Sequence, residues 1–374
     1  MPWTESTCMS QRREFLALAA GQSVPLSELC RRFGISRKTG YKWLARDEVV
    51  DRSRRPHTSP RRTDPDLEAQ VLSLRQAHPV WGGRKIAARL RHLGYLDVPH
   101  PSTITHILRR HGQLQAPRSG EGARYHRFEH PVPNALWQMD FKGDFPLRER
   151  RCHPLTVLDD HARYSVALHA CQGQSRAQVQ PVLEAAFRHY GLPERINVDN
   201  GQPWGSPSAW HGVSALTVWL VRLGVRVSFS RPAHPQTNGK DERFHRTLKA
   251  ELLAGRVFAD LDHAQRAFDH WRTVYNHERP HQALDMAVPA SRYRPSPRPF
   301  PDTLPPIEYG DGDTVVTVKA NGVVRFRGQI WRVSKALRDL PVAIRPDTKI
   351  DGRFNLYFCH HKVALIDLTE GPDG

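Results

Sequence analysis

The stretch HPQTNGKDERFHRTLK, residues 234–249, decides how the chain is interpreted. Its first half is a loop rich in Pro, Gly and Asn, and its second half predicts a helix that opens near Glu242. Arg246 and Lys249 follow Glu242 at helical positions i+4 and i+7, so all three share one face. Basic groups beside a carboxylate can hold phosphates near a metal, although ordinary helix ion pairing explains the same spacing.

Two short motifs upstream supply two more carboxylates. LWQMDF (136–141) predicts a strand with Asp140 at its centre, and INVDNG (196–201) predicts a strand that ends at Asp199. An unpaired carboxylate inside a strand of apolar neighbours is costly. Carboxylates from two strands and one helix can converge if a cation lies between them, and an all-oxygen set suits Mg²⁺ or Mn²⁺.

Other acids near the same strands compete for these roles. Asp144 follows Asp140 by four residues and points to the same face if the strand continues. Asp159 and Asp160 fall where a strand meets a turn, a position at which Asp commonly caps the turn. We therefore expect these three acids to be structural.

Three Pro-rich stretches are typical of linkers and predict that the chain is divided into four domains. They are residues 52–66, 115–134 and 294–306. Residues 134–293 show antiparallel strands followed by strands alternating with helices, which indicates an α/β core with a mixed sheet. Residues 307–374 carry about six short strands and predict a small β-barrel. The remaining domains, 1–51 and 65–114, are predicted to be α-helical.

Both N-terminal domains show a helix–turn–helix pattern. In the first, Gly34 supplies a turn and Ser36 a helix cap, and the following helix starts with residues suited to a major groove: Arg37, Lys38, Tyr41 and Lys42. A three-helix bundle with a solvated basic face is the alternative. In the second, WGGRKIAARLRHLG (81–94) and PSTITHILRRHG (101–112) are the paired helices, with Arg84 and Lys85 as expected DNA contacts.

Composition agrees with a nucleic-acid partner. The chain has 374 residues and a formal net charge of +17, of which +11 lies in residues 1–130. This basic bias fits a polyanion. Five scattered cysteines without paired spacing favour reduced thiols and a cytoplasmic location. The absence of an apolar run of about 18 residues argues against a membrane protein.

Taken together, the motifs resemble the integrase-core transposases of bacterial insertion sequences, which are relatives of retroviral integrases. The segment YNHERPHQALDMAVPASRY (275–293) matches what such transposases carry after their catalytic helix. The resemblance covers nearly the whole chain, from tandem helix–turn–helix modules through an RNase-H-like core to a small C-terminal β domain. The motif at 234–249 is specific, whereas the two strand motifs alone would be weak.

The resemblance implies that Asp140, Asp199 and Glu242 are the catalytic and metal-binding acids, acting with two Mg²⁺ ions that Mn²⁺ can replace. It implies binding to double-stranded DNA by a homodimer or higher oligomer, hydrolysis at the element's terminal repeats to free 3′-OH groups, and joining of these to target DNA. His234, Asn238 and Lys240 are expected to position the DNA end. Further DNA contacts are expected from basic residues beside Glu242: Lys240, Arg243, Arg246 and Lys249.

The chain departs from the family pattern between its second and third acids. Asp199 and Glu242 are separated by 42 residues, more than in archetypal members. The excess falls in the loop QPWGSPSAWHG (202–212), where Trp204 and Trp210 are as suited to base stacking as to packing. Basic residues of the C-terminal domain suit either DNA phosphates or subunit contacts: Arg325, Arg327, Arg332 and Lys335.

Two other functions remain open at this point. A DNA-binding regulator with an inactive core would bind the element ends without cleaving them. An RNase-H-type nuclease would cut without joining, although it has no need for tandem modules that recognise DNA ends. Joined product distinguishes a transposase from a nuclease.

Overall fold

The computed structural model describes residues 7–53, 62–114, 129–205, 213–230 and 239–369. Its contacts divide the chain into two compact units, residues 1–62 and 63–374. Each unit is described by itself below.

The first unit contains the predicted helix–turn–helix. Its helices are α1 (Cys8–Ala20), α2 (Leu26–Arg32) and α3 (Arg37–Leu44). The Ser36 hydroxyl caps α3 by accepting a hydrogen bond from the backbone N–H of Thr39, as predicted. A Cβ on Gly40 would lie 2.5 Å from the Cys30 sulfur, so glycine lets α3 pack closely on α2.

The second unit begins with another set of three helices: α4 (Pro65–Ala77), α5 (Gly83–His92) and α6 (Pro101–Arg110). They enclose a small apolar core in which Trp81 is 1% exposed. A Cβ on Gly83 would lie 2.3 Å from the Pro101 carbonyl oxygen, which places the starts of α5 and α6 in close contact. We refer to residues 65–114 as module 2.

The core of the second unit is a six-stranded mixed sheet. Its strands are β1 (Trp137–Phe141), β2 (Phe145–Pro146), β3 (Arg151–Asp159), β4 (Ser165–Cys171), β5 (Arg195–Val198) and β6 (Arg226–Phe229). Strand β3 pairs antiparallel with β1, β2 and β4, whereas β1–β5 and β5–β6 are parallel. The mixed sheet predicted from the sequence is confirmed.

Helices lie on both faces of this sheet. They are α7 (Arg176–Tyr190), α8 (Ala215–Arg222), α9 (Gly239–Leu248), α10 (Leu261–His277) and the short α11 (Pro289–Arg292). One apolar core joins the sheet to α7 and α8, and a second joins it to α9 and α10. Helix α9 continues directly into a π-helical turn, Lys249–Leu253.

The C-terminal strands form two open sheets. The strands are β7 (Thr314–Thr317), β8 (Val323–Phe326), β9 (Gln329–Arg332), β10 (Pro341–Pro346), β11 (Arg353–Phe358) and β12 (His361–Asp367). The larger sheet has the order β12-β11-β10-β7, and β8 and β9 pair only with each other. The strand-rich character is as predicted, but the closed barrel is not confirmed, because β8 and β9 form a separate two-stranded sheet.

All five cysteines are free, as their spacing predicts. Within the ranges given above, no helix is long and apolar enough to cross a membrane.

Candidate active site

Two of the predicted acids lie side by side on neighbouring strands. Trp137 pairs with Ile196 and Gln138 with Asn197 in the parallel β1–β5 ladder, and continuing this register brings Asp140 beside Asp199. Burial, together with the negative charge of Asp199, raises the pKa of Asp140 from 3.8 to about 6. Each carboxylate is therefore part of the other's electrostatic environment.

Both carboxylates are oriented by backbone N–H groups. The Asp140 Oδ1 accepts a hydrogen bond of 2.7 Å from the Phe141 N–H. The Asp199 Oδ1 accepts one of 2.9 Å from the Gly201 N–H, which closes the turn that the Asn-Gly pair predicts. These contacts hold the two side chains where the carboxyl ends of β1 and β5 meet.

Helix α9 is fastened to the strands of this site by a hydrogen-bonded bridge. The Thr156 hydroxyl on β3 donates to the Asp140 carbonyl oxygen at 2.9 Å and contacts the His245 Nε2 at 2.8 Å. Since the hydroxyl has one hydrogen, it accepts from His245 while it donates to the carbonyl. This assigns the proton of the neutral imidazole to Nε2.

The two acids at the start of α9 have opposite environments. Glu242 is exposed, whereas Asp241 is 2% exposed. In the part of the chain that the structure describes, no three His, Cys, Asp or Glu side chains lie close enough to hold a metal together. The structure thus brings Asp140 and Asp199 together and does not bring Glu242 into a shared site with them.

Asp241 is a residue that the sequence reasoning missed. Burial, and then the charges of Asp140 and Asp160, raise its pKa well above the ordinary value. Its Oδ1 has no hydrogen-bond partner among the described residues. The signal was present in the sequence, because Asp241 shares the i, i+3, i+7 spacing with Phe244 and Leu248, which face the core.

The donor chemistry here fits a hard divalent cation. Asp140 and Asp199 offer carboxylate oxygens, the ligands that Mg²⁺ prefers. The raised pKa of Asp140 means that its charged form lacks compensation, and a cation would supply it.

The competing acids are engaged by protein groups. Asp144 forms an ion pair with Arg151. Asp159 accepts hydrogen bonds of 2.7 Å from the N–H groups of Asn134 and Ala162. The Asp160 carboxylate is paired with Lys240, and it also accepts from the Gln138 amide at 2.8 Å and the His130 N–H at 2.9 Å. These contacts agree with structural roles for all three acids.

Basic side chains surround the acids on α9 and β1. Arg243, Arg246 and Lys249 are exposed on α9. Lys142 was missed, although it follows Asp140 by two residues and so shares its face of the strand. Burial and the charge of Lys249 lower the pKa of Lys142. Burial, and then the charge of Lys142, lower the pKa of His245 to about 4.

The other predicted DNA contacts divide into exposed and paired residues. Arg84 on α5 is exposed. The predicted residues on α3 are all exposed as well: Arg37, Lys38, Tyr41 and Lys42. Lys85, by contrast, contacts Glu251 at 3.5 Å, and Lys240 is paired with buried Asp160. The DNA contacts of all these residues remain predictions.

The loop residues have different outcomes. Trp204 is 2% exposed and stacks on Phe141 with ring centroids 5.6 Å apart, so it packs in the core. Trp210, His234 and Asn238 lie outside the described residues.

The predicted basic residues of the C-terminal sheets are exposed: Arg325, Arg327, Arg332 and Lys335.

Sequence profiles of known domains match most of the chain in pieces. Two profiles of the integrase core domain match residues 130–235 and 223–289. A helix-turn-helix domain profile matches residues 11–57 and a homeodomain-like profile residues 39–108. The profile of the IS481 family transposase C-terminal domain matches residues 313–373.

Individual relatives come from bacterial insertion elements. An uncharacterized 31.7 kDa protein of insertion element IS407 from Burkholderia multivorans is 31% identical over 42% of this chain and 55% of its own length. An uncharacterized 39.2 kDa protein of IS476 from Xanthomonas euvesicatoria is 29% identical over 60% of this chain and 63% of its own length. The chain thus spans somewhat more than half of the length of these relatives.

Among solved structures, the simian T-cell lymphotropic virus intasome in complex with PP2A regulatory subunit B56 gamma matches with a TM-score of 0.38 and 16% identity. The match covers 79% of this chain and 99% of that one. The family assignment depends on the sequence matches and not on this structural one. The chain contains matches to helix–turn–helix domains, to an integrase core domain and to the C-terminal domain of IS481 family transposases, and it is similar to proteins of bacterial insertion elements, as its motifs predict.

Proposed function

We propose that the protein cleaves the ends of a mobile DNA element and joins them to target DNA, using Asp140, Asp199 and Glu242. The observation that carries this proposal is the pair Asp140–Asp199, held at one sheet edge with the Asp140 pKa raised to about 6. Two partly buried carboxylates that repel each other are held together only at a cost in free energy, and such pairs concentrate at functional sites.

Metal ions bound by these acids would supply charge neutralisation for the attacking and leaving oxygens at phosphorus. Asp140 and Asp199 hold their carboxylates in place through the N–H groups of Phe141 and Gly201. Thr156 and His245 hold α9 against β1 and β3, so that Glu242 lies one helical turn from the bridge. We assign Glu242 the role of the third acid, which would join Asp140 and Asp199 when DNA binds at the start of α9.

The reaction has two balanced steps. Water attacks the phosphodiester at the element end, the bond to the 3′ oxygen breaks, and that oxygen leaves as a 3′-OH. The freed 3′-OH then attacks a phosphodiester of target DNA, and the displaced target strand leaves with its own 3′-OH. Arg243, Arg246 and Lys249, which are exposed on α9, would hold the phosphates on either side of the cut.

A strand-joining assay tests the proposal. Purified protein is incubated with a labelled duplex of the element's own terminal repeat, unlabelled target DNA and Mg²⁺ or Mn²⁺. We expect joined product from the native protein and none from Asp199→Asn. Specific binding without cleavage in either metal would instead indicate a regulator, and cleavage without joining would indicate a nuclease.

A further inference from the structure

A buried charge cluster joins module 2 to the core. The Glu251 carboxylate, with its side chain 9% exposed, accepts hydrogen bonds from the Arg279 Nε at 2.9 and 3.2 Å. The Lys85 ammonium on α5 contacts the same carboxylate at 3.5 Å. We call Lys85, Glu251 and Arg279 the Glu251 cluster. Its members are far apart in sequence and come from module 2, the π-helical turn after α9, and the segment after α10.

A second contact lies one turn further along α5. Arg89 pairs with Glu278, so α5 is held to the core at two successive turns. Val274 of α10 packs against the apolar core of module 2 beside these pairs. Two ion pairs and an apolar contact fix the orientation of α5 on the core, as a single exposed ion pair would not.

The charges of the cluster depend on one another. Burial, and then the charge of Arg279, lower the pKa of Lys85 to about 8, while the Glu251 carboxylate opposes this shift. Arg279 is also buried, with its side chain 8% exposed. A buried charge that loses its partner is strongly destabilising, so the three groups keep the two parts in one arrangement.

The π-helical turn explains how Glu251 reaches the cluster. The Ala254 N–H donates to the Lys249 carbonyl oxygen at 2.8 Å, a bond five residues back instead of four. The wider turn changes the direction of the side chains that follow α9. As a result Lys249 remains exposed beside Arg246, while Glu251 faces Lys85 and Arg279.

We propose that Glu251 is a positioning residue that sets the distance between the DNA sequence read by module 2 and the phosphodiester attacked at α9. The inference rests on the proposed function. Lys85 and Arg89 hold α5 to the core, which leaves the exposed face of α6 to meet DNA: Ser102, Thr103, His106 and Arg109. Because α9 runs directly into the turn that carries Glu251, DNA bound on α6 is held in fixed register with Glu242.

The position of the cut tests this proposal, because a purely structural role would not shift it. Glu251→Gln and Lys85→Met are compared with the native protein on a terminal-repeat duplex, in single turnover with the cut mapped to one nucleotide. We expect Glu251→Gln to bind the duplex within about threefold of the native protein, and both variants to cut the native position at least about tenfold more slowly and to cut neighbouring positions.

Three controls guard against misfolding. Lys85→Met/Glu251→Gln removes both charges, so neither Lys85 nor Glu251 is left as an unpaired charge. Its cleavage rate and cut position should depart from the native ones no more than those of the more strongly affected single variant. Lys85→Arg keeps the charge and should restore the native cut position. Asp313→Asn disrupts a carboxylate–Arg345 pair in the C-terminal sheets and should cut as the native protein does. Native cut position and rate in a folded Lys85→Met/Glu251→Gln variant would overturn the proposal.

A second readout does not depend on catalysis. An iron–EDTA probe is attached to Ala250→Cys, an exposed position in the π-helical turn, in a Cys8→Ser/Cys359→Ser background that removes the exposed and the partly exposed native thiols. We expect a narrow zone of probe-induced strand breaks on the bound duplex, and a broad zone when Glu251→Gln is added. A narrow zone in both would refute the positioning role. A protein that shows this difference but never cuts would refute the proposed function alone.

Discussion

Replacing Asp140 by Asn should stabilise the folded protein in the absence of divalent cations while abolishing cleavage. The pKa of Asp140 is raised from 3.8 to about 6, and at about 1.4 kcal/mol per pH unit this corresponds to an upper bound of about 3 kcal/mol at neutral pH. The Asn Oδ1 can still accept the Phe141 N–H, so the substitution keeps that hydrogen bond. We expect a gain in unfolding free energy of about 1–3 kcal/mol at pH 7.5.

The pH dependence identifies the cause of the gain. Between pH 3.8 and about 6 the folded protein binds the Asp140 proton more tightly than the unfolded chain does, so this group's contribution to stability decreases as pH rises. The destabilisation caused by the charged Asp140 carboxylate is complete above about pH 6 and absent below about pH 4. The advantage of Asp140→Asn over the native protein should therefore be present at pH 7.5 and disappear at pH 4.

Denaturant unfolding at both pH values, with and without Mg²⁺, measures these differences. Added Mg²⁺ should stabilise the native protein more than Asp140→Asn, because only the native carboxylate gains a partner. Asp144→Asn is the matched control: it removes a carboxylate already paired with Arg151, and it should give no gain. An Asp140→Asn variant that is no more stable than the native protein at pH 7.5 would refute the argument from burial.

Three further predictions concern other parts of the molecule. Thr156→Val removes the bridge between β1 and His245, so it should cost about 1–2 kcal/mol of stability in denaturant unfolding and slow cleavage at saturating DNA; unchanged values would show that the bridge is dispensable. Lys249→Ala should weaken binding of the end duplex and reduce the slope of log affinity against log salt by about 1; an unaltered slope would mean that Lys249 contacts no phosphate. Gly40→Ala places a methyl group 2.5 Å from the Cys30 sulfur and should destabilise the first unit by about 1–3 kcal/mol, with native stability arguing against this close packing.

Local signals predicted much of the fold. The turn at Gly34 and the cap at Ser36 are determined by residues within one or two turns, and both occur as predicted. The strands that carry Asp140 and precede Asp199 likewise follow from alternating or continuous apolar residues ended by turn residues. These features depend on residues that are close together in the sequence, so they can be predicted from the sequence alone.

The partners of charged residues depend on distant parts of the chain. Lys85 and Lys240 look like free basic residues in sequence, yet each meets a buried carboxylate brought to it by another element. The open C-terminal sheets have the same origin, because strand count does not determine whether the edges of β7 and β12 meet. Neither outcome could be derived from local pattern.

The start of α9 combines both cases. The family motif identifies Glu242, and helical spacing could have identified the adjacent buried Asp241. What the sequence does not contain is the proximity of Asp241 to Asp140, which arises only when α9 packs against the sheet. The sequence alone therefore does not determine which of these two neighbouring acids takes part in the reaction, and substituting each of them separately distinguishes them.

Strand joining by Glu242→Gln and Asp241→Asn, measured side by side on the same terminal-repeat and target DNA, tests the central claim most directly. Burial raises the pKa of Asp241 well above the ordinary value and so disfavours its charged form, which makes the uncharged amide a close substitute. We predict joined product within about threefold of the native amount for Asp241→Asn, and none for Glu242→Gln. Joining that survives Glu242→Gln and is lost with Asp241→Asn would contradict the assignment of the third acid.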